Sequence, residues 1–244
     1  MVNYFGTRIF RLDNPGRIDE IGLVFPTVDI SRTGRDGVEY IIREIHEEDY
    51  VGVSEVYANA FPELRNTSYD GFTRAECYPD ILQNRNTRIL VADRSGIIPA
   101  TSTIILNPQN MSAELALVVV SPEYQGTGLG SILFDESMTA IENAGTEYVC
   151  AFCETFDTKT QRLCEKHEFR RVGVMQGPIL ASLFGDPSRY YRAQTVYYEK
   201  LLGSADRLLQ SQTAVLGPFY YLKKTLGRML GNFQPTSYPR FWGI

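Results

Sequence analysis

The chain has 244 residues, enough for one well-buried domain with extensions. Its composition, 43% hydrophobic and 22% charged, is that of a soluble globular protein, and a net charge of −5 with a pI near 5.2 argues against wholesale nucleic-acid binding. No apolar run approaches the roughly 18 residues that span a bilayer, and residues 1–12 lack the basic-then-apolar pattern of a secretory signal, so a cytoplasmic protein is expected.

Residues 1–37 read as an N-terminal extension without an assignable role. Residues 8–12 have the pattern of a short strand, and residues 34–37 that of a turn. From Val38 the pattern sharpens. Residues 38–45 are β-rich. An acidic turn, His46-Glu47-Glu48-Asp49, then opens a helix carrying Val53, Val56, Tyr57 and Ala60 at helical spacing. A second helical stretch is expected over residues 69–83, interrupted near Pro79. Residues 87–92, 97–106 and 113–120 form a meander of three antiparallel strands. The joining turns are Asp93-Arg94-Ser95-Gly96 and Asn107-Pro108-Gln109-Asn110.

Residues 128–144 read as a helix with Leu129, Ile132, Leu133, Ala140, Ile141 and Ala144 on one face, stopped by Gly145. A buried strand follows at 147–153, then a short helix at 158–167 and strands at 170–175 and 193–202. Helices are expected at 204–215 and 218–231. The cysteines Cys150 and Cys153 form a C-x-x-C within a strand. Side chains three apart on a strand point to opposite faces, so they read as core residues rather than a metal or redox pair. No metal site is expected. The order of elements predicts a mixed α+β domain with a central sheet over residues 38–202, followed by a helical extension at 203–244.

The chemistry is carried by the Gly-rich turn between the strand at 113–120 and the helix that follows. A strand, a Gly-rich loop and a helix N-terminus together gather backbone N–H groups at the positive end of a helix, an arrangement suited to phosphate. The Lys-Ser/Thr of a P-loop and the spacing of a dinucleotide fold are both missing. Gln125-Gly126-Thr127-Gly128-Leu129-Gly130 resembles the Q/R-x-x-G-x-G/A signature of the GNAT acetyltransferases. Val118-Val119-Val120-Ser121-Pro122-Glu123-Tyr124 is similar to that family's lead-in. Cys164-Glu165-Lys166-His167-Glu168-Phe169 looks like its Y-E-K-x-G-F segment, and Tyr197-Tyr198-Glu199-Lys200-Leu201 like its last strand. The resemblance spans residues 40–202.

The resemblance implies a GNAT-like, mostly antiparallel sheet flanked by helices, and acetyl-CoA as co-substrate. The pyrophosphate would lie on the amides of Gln125, Gly126, Thr127, Gly128, Leu129 and Gly130. The pantetheine arm would pair with Val118, Val119 and Val120, with an amide near Val118 polarising the thioester carbonyl. Glu114 lies at the strand position of a catalytic glutamate in several members. By the period of two it shares a face with Ala116, Val118 and Val120, an apolar setting that raises a carboxylate's pKa and suits a base. Where the family often has a tyrosine as proton donor this chain has Cys164, a candidate acid, with Tyr124, Tyr190 and Tyr191 as alternatives. Asp157 stands where the family often has Asn near the pantetheine.

The acceptor pocket is expected from residues 61–83 and 177–192, whose arginines and aromatics suit a small molecule bearing a carboxylate or phosphate. They include Phe61, Arg65, Tyr69, Phe72, Arg74 and Tyr78, then Asp186, Arg189 and Arg192. The expected activity is N-acetyl transfer to the primary amine of a small molecule by direct attack in a ternary complex. A protein N-acetyltransferase and a non-catalytic acyl-CoA-binding or scaffold module stand as alternatives. From Arg207 on, the chain carries only basic charge, +5 against −10 for the rest. Phe219, Leu222, Leu226, Met229, Leu230 and Phe233 with Lys223, Lys224 and Arg228 make a basic amphipathic helix, suited to covering its own domain, to a homodimer or to a peripheral contact.

Overall fold

The computed structural model describes residues 23–62, 67, 69–84, 86–183, 186–203 and 205. The readings for residues 8–12, for Arg65, for the helices at 204–215 and 218–231 and for the side chains of Asp186 and Tyr190 lie outside what is described.

The described residues form one eight-stranded sheet in the order β1-β2-β3-β4-β5-β6-β8-β7. The strands are β1 (Asp29–Thr33), β2 (Glu39–Glu44), β3 (Thr87–Arg94), β4 (Ile97–Asn107), β5 (Ser112–Val120), β6 (Tyr148–Glu154), β7 (Arg170–Leu183) and β8 (Asp186–Leu201). The pairing is antiparallel except between β5 and β6, which run parallel. The helices are α1 (Tyr50–Ala60), α2 (Tyr78–Gln83), α3 (Leu129–Asn143) and α4 (Thr158–Lys166). Among the described residues no helix is long and apolar enough to cross a membrane.

Helices cover both faces of the sheet. α3 presses Leu129, Leu133, Phe134, Met138 and Ile141 against Leu90, Ile104, Leu115 and Val149. α1 and α2 place Val53, Val56, Tyr57 and Tyr78 on Ile89, Val91 and Val119. Burying a side chain of this size is worth about 1.5–3 kcal/mol each, so these two layers hold the sheet rigid beneath the site. The meander turns where the sequence predicts. Ser95 and Gly96 both have positive φ, the conformation a tight hairpin requires, and Gly96 N donates to Asp93 Oδ1 at 2.7 Å.

Three features differ from expectation. Part of the N-terminal extension joins the sheet, because β1 pairs with β2 through the turn at 34–37. The stretch at 69–83 breaks into two 3-10 turns, Asp70–Thr73 and Ala75–Cys77, and α2. Pro79 falls in the first turn of α2, where its missing N–H costs nothing, so it helps to start a helix rather than interrupt one. Residues 177–183 and 186–192, which fall between the strands expected at 170–175 and 193–202, belong to β7 and β8, which pair with a register shift between Met175 and Ile179. At Gly177 φ is +65°, and a Cβ there would stand 2.7 Å from that of Arg192, so glycine lets the two strands close up at the bend.

Candidate active site

The site begins where β5 and β6 part. They share three rungs, Ser112 with Tyr148, Ala113 with Val149 and Glu114 with Cys150, and no pairing beyond. From Leu115 onward β5 is paired only with β4, leaving one backbone edge turned to a cleft between the two strands. An unpaired edge of this kind offers N–H and C=O groups to an extended ligand. Val118, Val119 and Val120 lie along it.

A bulge interrupts β5 at the mouth of the cleft. Val119 pairs with Thr101 and Ala116 with Thr103, so Leu117 and Val118 together oppose Ser102. Leu117 has φ +49°, a left-handed conformation unusual for leucine. The extra residue reverses the alternation of faces. Ala113, Leu115, Val118 and Val120 contribute to the α3 side, while Leu117 and Val119 pack on the α1 side. Glu114 therefore does not share a face with Val118 and Val120, as strict alternation predicts. It lies with Ala116 on the α1 side.

Glu114 is half-buried, and among the described residues its carboxylate has no hydrogen bond or ion pair. Burial raises its pKa above the usual carboxylate range. Its charge is felt by two neighbours: the Tyr69 hydroxyl and the Cys150 thiol are both pushed up, first by burial and then by Glu114, the thiol to about 12. Beyond Cys150, the Tyr148 and Tyr197 hydroxyls share a hydrogen bond, Tyr148 also donates to Glu199 Oε2 at 3.1 Å, and Glu199 pairs with Arg170. Sequence periodicity does not reveal this cluster, because its strand members come together only through the register of β5, β6, β7 and β8.

The Gly-rich loop has the geometry of an anion cradle. Gly126 and Gly128 have φ +90° and +89°, and Gly128 caps α3. Among the described residues the amides of Gly126, Gly128, Leu129 and Gly130 donate to no protein acceptor. The loop is braced from within by Thr127 Oγ1, which donates to Tyr124 O at 2.7 Å. A Cβ on Gly130 would lie 3.4 Å from Val120 Cγ2, so small residues hold helix and strand close together. Lys159 Nζ donates to Gln125 Oε1 at 3.0 Å, bringing a cation to the loop's edge. These open amides and the open edge of β5 fit a phosphate joined to an extended, amide-bearing arm.

Two candidates have other places. Cys164 is fully buried among the α3-side core residues, its Sγ 3.6 Å from Cys153 Sγ. The thiol thus lies in the core against β6 through Cys153. Asp157 caps α4: Oδ1 accepts from Lys159 N and Thr160 N at 3.1 Å each, and Thr160 Oγ1 donates to Oδ2. On the acceptor side, Phe72 and Tyr78 are packing residues, with Phe72 on the Tyr57 ring and the Tyr78 hydroxyl donating to Phe72 O at 2.8 Å. Arg74 pairs with Asp70, Arg192 bonds Gly177 O, and Arg189 is exposed.

The profile of the Acetyltransferase (GNAT) family matches residues 42–169, just over half of the chain. The chain belongs to this family. Its GNAT fold recurs in solved structures. The ribosomal-protein-alanine N-acetyltransferase of Brucella melitensis superposes with a TM-score of 0.54 at 21% identity, covering 66% of this chain and 99% of that one. An N-acetyltransferase of Staphylococcus aureus Mu50 gives 0.54 at 17%, covering 67% and 99%. YncA of Salmonella typhimurium, solved with its cofactor acetyl-CoA, gives 0.54 at 18%, covering 67% and 94%. No curated protein matches the chain by sequence. The family assignment makes the chain an acetyltransferase.

Proposed function

We propose that this GNAT protein acts in the cytoplasm, moving an acetyl group from acetyl-CoA to the primary amine of a small molecule by direct attack in a ternary complex. The observation that carries the reading is Glu114, a half-buried carboxylate without a partner among the described residues, at the point where β5 and β6 separate. Acetyl-CoA supplies the thioester. The open amides of Gly126, Gly128, Leu129 and Gly130 hold its pyrophosphate, and the free edge of Val118, Val119 and Val120 aligns its arm. An amide at the Leu117–Val118 bulge faces the carbonyl oxygen and stabilises charge there.

Glu114 removes the proton from the acceptor. A lysine-like amine with a pKa of about 10.4 is almost wholly protonated at neutral pH and attacks only after losing that proton. A carboxylate with a raised pKa is a better acceptor for it than an exposed one. The test is calorimetric titration with acetyl-CoA followed by a screen of small amines against a peptide library, each with wild type and Glu114→Gln. Acetyl-CoA binding by both forms, with turnover of small amines by wild type only, supports the reading. Undiminished turnover by Glu114→Gln overturns the base, and acetylation of peptides alone overturns the small-molecule acceptor.

A further inference from the structure

The turn between β1 and β2 reaches the Gly-rich loop from outside the family-matched region. Gly34 N donates to Val38 O at 2.8 Å and Gly37 N to Gly34 O at 3.0 Å, which closes the turn. The turn is fastened to the site at two points. Arg35 N donates to Thr127 O at 2.7 Å, and Arg32 Nε bonds Glu136 Oε1 on α3 at 2.7 Å. Gly34 is buried against the loop, where a Cβ would stand 3.2 Å from Thr127 O.

The Arg35 side chain runs across Gly128. A Cβ built on Gly128 would lie 3.2 Å from Arg35 Cγ and 3.4 Å from its Nε. The acid of the same turn does not neutralise it. Asp36 accepts from the Tyr40 hydroxyl at 2.7 Å and from Val38 N at 3.2 Å. Among the described residues Arg35 makes no ion pair, and its side chain is exposed. An unpaired guanidinium thus lies beside Gly128, the glycine that caps α3 and whose amide has no protein acceptor among the described residues. Packing against Gly128 needs only the aliphatic stem, and the charge at its end is left over.

We propose that Arg35 is a binding residue for the CoA pyrophosphate, closing over the phosphate that the amides of Gly126, Gly128, Leu129 and Gly130 hold from beneath. This rests on the acetyl-CoA reading of the loop. The planar fork of arginine matches two phosphate oxygens, which a lysine cannot do. The contact grips the ligand far from the reacting carbonyl, so it acts on affinity and not on the chemical step.

The test titrates the full chain with CoA and dephospho-CoA by calorimetry, and with pantetheine by NMR, in wild type, Arg35→Ala and Arg35→Lys. Thermal melting checks that each variant is folded. Arg35→Ala is expected to weaken CoA and dephospho-CoA alike, by about tenfold at low salt, and to leave pantetheine unchanged. Arg35→Lys falls between, and the loss shrinks as salt rises. Unchanged CoA affinity, or an equal loss for pantetheine, overturns the proposal while the loop reading stands. A loss for CoA but not dephospho-CoA moves the contact to the 3′-phosphate and overturns the pyrophosphate assignment. A folded wild type that binds none of the three overturns the loop reading and this inference together.

Discussion

Glu114 and Cys150 form the last parallel rung before β5 and β6 separate. The carboxylate therefore sits at the apex of the cleft, anchored by a strand pair on one side and open on the other. Its pKa is raised by burial alone. Acetyl transfer is expected to rise with pH along a limb set by this carboxylate, with a midpoint above the ordinary glutamate value. Glu114→Gln removes that limb and lowers turnover by about 10²–10⁴-fold with acetyl-CoA affinity unchanged. A pH–rate profile of both forms checks this.

The same burial has an opposite effect on stability. A carboxylate whose folded pKa is raised favours the folded state only when protonated. Its contribution is complete below the unfolded pKa and is lost as pH rises through the folded value. Glu114→Gln is therefore expected to melt above wild type at pH 7, and the difference is expected to vanish near pH 3.5. Melting curves at the two pH values decide it, and an equal gain at both would mean that Glu114 is not desolvated.

The parts of this molecule that are legible in sequence are those fixed by neighbours in the chain. The β3–β4–β5 meander follows from turn residues, and α3 from its apolar stripe and Gly145. The Gly-rich loop is readable because φ near +90° at Gly126 and Gly128 needs glycine. The bulge at Leu117 is not, because Ala116-Leu117-Val118-Val119-Val120 is uniformly apolar and shows no break in period. A strict period of two therefore assigns Glu114 to the wrong face. Cys164 matches a motif position, but the motif does not say that its side chain turns to Cys153. Arg35 lies in a segment with no pattern beyond a turn, and only the fold brings it to Gly128.

Gly128 and Gly145 separate backbone strain from ligand binding. Both have positive φ, +89° and +86°, so alanine at either should cost about 1–2 kcal/mol. A Cβ at Gly145 meets nothing within 4 Å, whereas at Gly128 it meets Arg35 inside the anion cradle. Gly128→Ala is expected to lose acetyl-CoA affinity by about tenfold or more, and Gly145→Ala to keep it. Calorimetry and melting on the two variants check both halves.

Cys164 has no exposed surface and touches Cys153 in the core. Replacing it with alanine removes one buried sulfur and leaves a small void, at a cost of about 1 kcal/mol. Turnover is expected to stay at the wild-type level once temperature is kept below the lowered melting point. A large fall in kcat for a folded Cys164→Ala would make the thiol the proton donor.

Arg43 ties the sheet to the start of α1. Its guanidinium holds Asp49 through both nitrogens, at 2.6 Å and 2.9 Å, and also holds Asp93 at 2.9 Å. Burial pushes the Asp49 carboxyl up, but the hydrogen bonds from Arg43 and His46 N outweigh it and leave the pKa lowered. A lowered folded pKa gives stability that is present above the unfolded value and is lost as pH falls through the folded one. Arg43→Ala leaves two acids facing each other without their cation and should cost about 3 kcal/mol at pH 7. The loss should narrow on acidification, since protonation of Asp49 removes a charge that Arg43 balances. Chemical denaturation of both forms at neutral and acidic pH measures it, and a difference that does not change with pH would mean that Arg43 acts through packing.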